Sequence, residues 1–363
     1  MKYLKFHFFC FLLILILACN TDIDPNDLSN IPYLVSDPYP LVIPKGLPSL
    51  SNDINNPITK AGVLLGRHLF YDPILSSDST ISCSSCHQVA FGFTDGKALS
   101  PGVAGTLGNR SSMSLINAAY FTNGLFWDGR AANLEFQALQ PIENPVEMHE
   151  NWPHVEEKLQ KNKDYPSLFR AAFGISNKTE IKKELASKAL AQFERILLTG
   201  GNSLYQKQLR GEYAFSVDQT DGMEMYLNLN PRLPDAQCGH CHAPPLFASS
   251  NYFNNGLDSV GSLNEFKDKG RGAINNSPND IGKFKAPGLM NIHLSAPYMH
   301  DGRFKTLDEV LLHYTTQVKP ASNLDPNVAN VRISSKQAQQ VLIFLMTLID
   351  TSYVQNQDIY SPF

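Results

Sequence analysis

The stretch Cys83-Ser-Ser-Cys86-His87 returns with the same spacing as Cys238-Gly-His-Cys241-His242. Two cysteines separated by two residues and followed directly by histidine are the signature of covalent haem c attachment. In such a site the two thiols bind the porphyrin and the histidine ligates the iron. Two disulfides or two zinc sites would also use paired cysteines, and they are the alternatives. The sequence therefore predicts two haem c groups, bound by Cys83, Cys86, Cys238 and Cys241, with His87 and His242 as iron ligands.

The other two cysteines, Cys10 and Cys19, lie in the N-terminal part of the chain. Residues 1–18 contain two lysines and an apolar run that is shorter than the roughly 20 residues of a membrane-spanning helix. The run ends in Ile16-Leu17-Ala18-Cys19, which resembles a bacterial lipoprotein cleavage box. We therefore expect residues 1–18 to be a signal peptide and Cys19 to carry lipid. The protein would then be exported to the periplasmic face or cell envelope and meet a membrane only through this anchor. An ordinary signal peptide with an incidental cysteine is the alternative.

Composition sets the class of protein before any site is considered. The chain has 363 residues, of which 43% are hydrophobic and 18% charged, so it can bury a substantial core and is not a disordered chain. Lysine and arginine number 30 against 34 aspartates and glutamates, which gives a net charge of -4. Nucleic-acid binders are normally basic, so with this charge balance we do not expect the protein to bind nucleic acid.

Apolar residues recur with helical spacing in several segments, and no regular series of short strands is visible. The segments are 62–70, 181–198, 306–314 and 334–349. The two haem motifs lie far enough apart for each to occupy its own domain. We therefore predict a mainly α protein of two cytochrome-c-like haem domains, with a tether and lead-in over 19–55, a first domain over 56–205 and a second over 206–363.

Further landmarks flank the two motifs. They are Leu65-Gly66-Arg67-His68-Leu69-Phe70-Tyr71-Asp72-Pro73, Phe126-Trp127-Asp128-Gly129-Arg130, Gln137 with Pro141 and Glu147, and Pro297-Tyr298-Met299-His300-Asp301-Gly302. With these landmarks, roughly residues 55–350 resemble the bacterial di-haem cytochrome c peroxidase family, which includes MauG. The resemblance implies two all-α domains that meet at a haem–haem interface. It also implies that hydrogen peroxide is reduced at the first haem with electrons delivered through the second.

The resemblance assigns roles around the first haem. Common peroxidases of the family cap this iron with a histidine that follows the motif, whereas residues 88–148 contain no histidine. The iron is therefore expected to keep an open axial position, with Glu147 as the acid–base group and Gln137 as a hydrogen-bonding positioner. His149 is the rival that could close the site. Trp127 matches the tryptophan between the two haems and is expected to relay electrons, although on the residues alone it could be a core side chain.

For the second haem, the family position of the sixth iron ligand falls on Tyr314, the residue type that MauG also uses. Helical periodicity alone would instead make Tyr314 a core aromatic residue, and Met299 is the alternative ligand. A phenolate is a hard anion that favours Fe(III) and higher oxidation states, whereas methionine raises the potential. The family also binds calcium between the haems, which would here involve Asn109, Ser295 and Pro297 through oxygen atoms.

Three functions are compatible with these residues. The first is a peroxidase that reduces hydrogen peroxide to water with electrons from a small cytochrome c or a copper protein of the cupredoxin type. The second is a MauG-like enzyme that oxidises residues of a partner protein. The open first iron and Tyr314 favour it, although Ala236 stands where MauG has a surface tryptophan. The third is an electron-transfer cytochrome without chemistry of its own, which requires a side-chain ligand on both faces of both irons.

Overall fold

The computed structural model describes residues 24–50 and 53–363, so the predicted signal peptide and Cys19 lie outside the described residues. The described chain is mainly helical, which confirms the predicted fold class. Nothing in it is both long and apolar enough to be a membrane-crossing helix. Its α-helices are α1 (Lys60–Tyr71), α2 (Cys83–Cys86), α3 (Leu134–Glu143), α4 (Trp152–Lys161), α5 (Tyr165–Phe173), α6 (Lys183–Glu194), α7 (Leu204–Leu209), α8 (Val217–Leu227), α9 (Gly272–Asn275), α10 (Leu307–Leu312), α11 (Pro326–Ala329) and α12 (Ser335–Met346). Two short strands, β1 (Tyr252–Phe253) and β2 (Phe284–Lys285), pair antiparallel.

In the first half, α1 crosses α6 at the centre of a large hydrophobic cluster. Helix α1 begins where the Thr59 side chain accepts a hydrogen bond from the Gly62 amide, which satisfies one of the free donors of the first turn. Gly66 lies at the crossing, where a Cβ atom would stand 2.0 Å from the carbonyl oxygen of Ala189. A larger residue would therefore push the two helices apart. The cluster around the crossing includes Leu65, Leu69, Phe70, Leu190 and Phe193.

The second half repeats this arrangement with α8 and α12. Gly222 of α8 lies against α12, where a Cβ atom would stand 2.0 Å from the carbonyl oxygen of Gln340. Behind the crossing, Tyr226 packs against Phe344 with ring centroids 5.1 Å apart, and Tyr205 and Phe247 complete an aromatic cluster. Each half thus has its own hydrophobic core.

The last residues of the chain return to the first half. Tyr353 and Ile359 are buried in the first cluster, and the Tyr353 hydroxyl donates to the Val89 carbonyl at 3.1 Å. The Tyr39 hydroxyl donates to Asp358 at 2.8 Å. The division into 56–205 and 206–363 stays a prediction, and this end of the second range contacts the first.

Two of the predicted helical segments differ in length from the observed helices. Residues 181–198 are helical only over α6, and the buried residues Ile196, Leu197 and Leu198 follow the end of this helix. Residues 306–314 form α10 and then a π-helical turn over His313–Gln317. The other two segments coincide with α1 and α12 and are confirmed.

Candidate functional site

The first haem motif lies on the short helix α2, and His87 follows it directly. The Nδ1 of His87 lies 2.9 Å from the Phe93 carbonyl oxygen, so Nδ1 carries the proton and donates it. Burial lowers the pKa of His87, which favours the neutral ring. A neutral histidine whose Nδ1–H is held by a carbonyl presents the lone pair of Nε2 to a metal, so His87 is prepared to ligate iron.

The second motif is built in the same way. The Nδ1 of His242 lies 2.9 Å from the Pro287 carbonyl oxygen, and burial lowers the pKa of His242 to about 4. The Tyr226 hydroxyl donates to the carbonyl of His242 at 2.8 Å and fixes the backbone at the motif. Both histidines therefore have the ring orientation and protonation of an iron ligand.

The four motif cysteines are not paired in the structure. In the described residues, no group of three or more histidine, cysteine, aspartate and glutamate side chains could hold a metal ion, so the cysteines form no closed zinc site there. Each motif instead faces a cavity. The first cavity has a volume of about 780 Å³ and the second about 220 Å³. A CxxC pair, a neutral histidine and a mainly apolar cavity together fit a haem c group in each half.

The first cavity collects the residues that the sequence assigns to peroxide chemistry. Glu147 and Gln137 line it together with Cys83, Cys86 and His87. Among the described residues that line this cavity, His87 is the only histidine. His149, the predicted rival ligand, is exposed and does not line the cavity.

Glu147 is held by the end of α3. Asn144 caps this helix, and its Nδ2 donates to Glu147 Oε1 at 2.6 Å. The Glu147 amide donates to the Asn144 carbonyl at 3.0 Å, which fixes the backbone as well. Burial raises the pKa of Glu147, while the Asn144 hydrogen bond and the Arg130 charge oppose this rise. Glu147 is therefore a positioned carboxyl group that holds a proton more readily than an exposed glutamate.

A second glutamate, Glu194 at the end of α6, also lines the first cavity, and sequence analysis missed it. It is 5% exposed, and its Oε2 has no hydrogen-bond partner among the described residues. Burial raises the pKa of Glu194 to about 8, against the opposing charge of Arg195. Its position between the apolar residues Phe193 and Ile196 was the available signal, although glutamate is normally exposed.

Glu194 makes a testable contribution to stability. Because its folded-state pKa is raised, folding favours the protonated acid, and this stability is present below about pH 4.5 and lost as the pH rises toward 8. We expect the Glu194→Gln variant to lose this part of the pH dependence and to be the more stable protein at pH 8. Urea unfolding of the haem-loaded protein between pH 5 and 8.5 measures it. Glu143→Gln, at an exposed acid of α3, is the control and should follow the wild type. Parallel curves for wild type and Glu194→Gln would contradict the prediction.

Trp127 lies between the two cavities and lines both. Its indole nitrogen donates to the Ser111 carbonyl at 2.9 Å, which fixes the ring. Met113 also lines both cavities, so it lies at this junction and not in a hydrophobic core. The junction is therefore narrow enough for single side chains to contact both cavities.

Tyr314 and Met299, the two ligand candidates for the second haem, both line the second cavity. Asn255 Nδ2 lies 3.4 Å from the Tyr314 hydroxyl and 3.4 Å from Met299 Sδ. Tyr314 is on the π-helical turn after α10, a distortion that is frequent at functional sites. The structure brings both candidates to one place, and the choice between them stays open. His313 is engaged elsewhere, since its Nε2 lies 2.9 Å from the Asn255 carbonyl.

The predicted calcium ligands are distributed over both cavities. Ser295 and Pro297 line the second cavity, whereas Asn109 is exposed at the first. The Ser111 hydroxyl donates to the Met299 carbonyl at 2.8 Å and joins the two chain segments. A calcium site at this junction stays a prediction.

Known proteins share this architecture. The profile of the family described as di-haem cytochrome c peroxidase matches residues 60–214. Methylamine utilization protein MauG of Methylorubrum extorquens is 32% identical over 297 residues, which cover 81% of this chain and 79% of that protein. Cytochrome c551 peroxidase of Pseudomonas aeruginosa is 33% identical over 258 residues, 70% of this chain and 72% of that protein. The crystal structure of a MauG-like protein associated with microbial copper homeostasis has a TM-score of 0.79 and 29% identity, and it covers 88% of this chain and 98% of that one.

The similarity to MauG extends over both haem motifs, because an alignment of 81% of the chain must include both of them. Trp127 and Glu147 lie between the two motifs in the sequence, so this alignment includes them as well. The chain therefore belongs to the di-haem cytochrome c peroxidase family, which includes MauG, and is a peroxidase-type oxidoreductase with two haem c groups.

Proposed function

We propose that the protein reduces hydrogen peroxide to water in the first cavity, with electrons that a small cytochrome c or cupredoxin delivers through the second haem. The observation that carries this proposal is that His87 and Glu147 line the same cavity, and that the described residues around this cavity include no second histidine. When bound there, the haem supplies the redox-active iron at which the O–O bond is broken. The reaction consumes H₂O₂, two electrons and two protons and yields two water molecules.

Glu147 moves the proton in this proposal. Asn144 holds its Oε1 at 2.6 Å, and Oε2 has no hydrogen bond to a described residue. Oε2 is thus the atom that takes a proton from one peroxide oxygen and returns it to the other, which leaves as water. The raised pKa of Glu147 brings its acidity closer to neutral pH, which suits a group that must both accept and release a proton. Gln137 orients the peroxide by hydrogen bonding.

Trp127 carries the electrons between the cavities. Its ring contacts both cavities and is fixed by the hydrogen bond to Ser111. An aromatic ring at this place shortens the distance that each electron must cross. Export and lipid attachment at Cys19 belong to the same proposal, since donors of this type are envelope proteins.

The second candidate function is oxidation of residues in a partner protein, as the MauG name of several relatives suggests. The observation in its favour is Tyr314 in the second cavity, where a hard oxygen ligand would suit the storage of oxidising equivalents. Ala236 is 1% exposed, so this position offers no surface residue to a partner, and another route would be needed.

One experiment separates these functions and also tests the non-catalytic alternative. Stoichiometric hydrogen peroxide is added to the ferric protein, followed by reduced cytochrome c. Rapid oxidation of the cytochrome supports the peroxidase. A long-lived oxidised state that does not react with the cytochrome supports oxidation of a partner protein. A spectrum with both haems low-spin and unchanged by peroxide or cyanide identifies an electron-transfer protein and overturns the proposal.

Tyr314→Phe tests the ligand of the second haem. We expect both haems to remain attached, the phenolate-to-iron charge-transfer absorption to disappear and the potential of this haem to rise, because a hard anionic ligand has been removed. Absorption spectra and a redox titration of the ferric protein measure it. Met299→Leu is the matched variant and should leave the spectrum as it was. If Met299→Leu changes the spectrum and Tyr314→Phe does not, Met299 is the ligand.

A further inference from the structure

Lys285 is a buried cation that lacks an ionic partner in the described part of the chain. The residue is 2% exposed, and its Nζ forms no hydrogen bond to a described residue. Nζ lies 4.9 Å from the ring centroid of Phe121 and 5.6 Å from that of Tyr252. Contacts with aromatic faces offset only part of the cost of removing an ammonium group from water. An anion close to the Lys285 ammonium group would therefore stabilise its charged form.

The fold places Lys285 at the junction of the two cavities. It lies on β2 opposite Tyr252 of β1, and its amide donates to the Trp127 carbonyl at 2.8 Å. The side chain lines the first cavity as well as the second. A group that approaches Lys285 from either cavity would thus be close to Trp127.

A second cation shares this environment. Arg271 lies over the Tyr252 ring at 4.7 Å, and its Nη1 donates to the carbonyls of Asp128 at 3.1 Å and Gly129 at 2.9 Å. Burial and the charge of Arg271 both lower the pKa of Lys285, to about 8. Among the described residues, the contacts found for these two cations are thus aromatic faces and, for Arg271, backbone oxygens.

Two carboxylates that line the first cavity together with Lys285, those of Asp128 and Asp268, pair with another cation. Arg110 donates to Asp128 at 2.6 Å and to both oxygens of Asp268, at 2.7 and 2.8 Å. Arg130 also pairs with Asp128, at 3.2 Å. These acids are consequently neutralised by arginines and do not reach Lys285. The missing anion must come with whatever fills the cavities.

We propose that Lys285 is a haem-binding residue whose ammonium group pairs with a propionate carboxylate of a haem at the junction of the two cavities. Propionates are the anionic groups that a haem carries at its edge, and Lys285 faces both cavities that the haem motifs define. The proposal depends on the presence of the two haems and not on the reaction with peroxide. It can therefore fail while the peroxidase proposal stands, and it can hold if the peroxidase proposal fails.

Lys285→Met removes the charge and keeps most of the side-chain volume. The unpaired propionate then stabilises Fe(III), and we expect the reduction equilibrium of the affected haem to shift about tenfold toward the oxidised state, which is 59 mV for a one-electron couple. Lys285→Arg keeps the charge and should shift it much less. Lys267→Met is the control, because Lys267 lines the same first cavity but is exposed and screened by water.

A redox titration that follows each haem by its own absorption, without peroxide, measures these shifts. The haem whose potential falls in Lys285→Met is the one that supplies the propionate. The proposed pairing of Lys285 with a propionate is wrong if neither haem potential changes in Lys285→Met, or if Lys267→Met gives an equal shift. Should Lys285→Met lose haem, infrared redox-difference spectra of the wild type and Lys285→Arg decide: a displaced carboxylate band supports the pairing, and an unchanged band overturns it.

Discussion

Replacing Glu147 by glutamine is expected to slow the reaction of the ferric protein with hydrogen peroxide by about a hundredfold or more, with both haems still attached. Glutamine has nearly the size of glutamate and keeps an oxygen for the hydrogen bond from Asn144. It cannot take up and release a proton. The variant therefore removes proton transfer and leaves the shape of the first cavity intact. Stopped-flow absorption spectroscopy at several peroxide concentrations measures the rate.

Two controls make this result specific. Glu143→Gln changes an exposed acid at the end of α3, shortly before Glu147 in the sequence, and should react like the wild type. The haem content of Glu147→Gln, from its absorption in alkaline pyridine, should equal that of the wild type. A rate unchanged by Glu147→Gln would remove Glu147 from the mechanism and direct attention to Glu194, the other glutamate that lines the first cavity.

The second large effect is expected from the motif cysteines. Alanine at both Cys83 and Cys86 should remove one haem from each chain and abolish peroxide turnover, because the first cavity then lacks its covalently held cofactor. Alanine at both Cys238 and Cys241 is the matched variant. It should also lose one haem, but the remaining haem should still react once with peroxide and fail to turn over with reduced cytochrome c.

The haem-to-protein ratio and the spin state of the remaining haem measure these outcomes. Loss of Cys83 and Cys86 should leave only the spectrum of a six-coordinate haem, and loss of Cys238 and Cys241 only that of an open one. Far-ultraviolet circular dichroism checks that each variant is still folded. Peroxide turnover that survives in the first variant would show that the two cavities have been given the wrong roles.

Site residues could be predicted from the sequence where the chemistry requires certain residues at neighbouring positions in the chain. Haem attachment needs two thiols and a histidine in neighbouring positions, and the structure places both motifs on cavity walls. The helices α1 and α12 follow from apolar residues at helical spacing. Glu147 and Gln137 could be placed only through the family resemblance, because isolated polar residues carry no pattern of their own.

Other features arise from packing between distant segments and could not be predicted. Lys285 and Arg271 come together because β2 and the segment before it fold over Trp127, and a lysine in a sequence is normally solvated. The burial of Glu194 depends on where α6 meets the first cavity. Helix α10 changes to a π-helical turn at His313, and helical spacing alone does not reveal such a change.

The aromatic ring of Tyr353 has a bearing on the order in which the molecule is assembled. Its hydroxyl holds the Val89 carbonyl, and its ring packs against Phe93, which in turn fixes His87. The first motif is closed on this side only when a segment 264 positions later in the chain folds back onto it. The segment around Tyr353 is therefore one of the parts of the chain that must fold before the first haem site is complete.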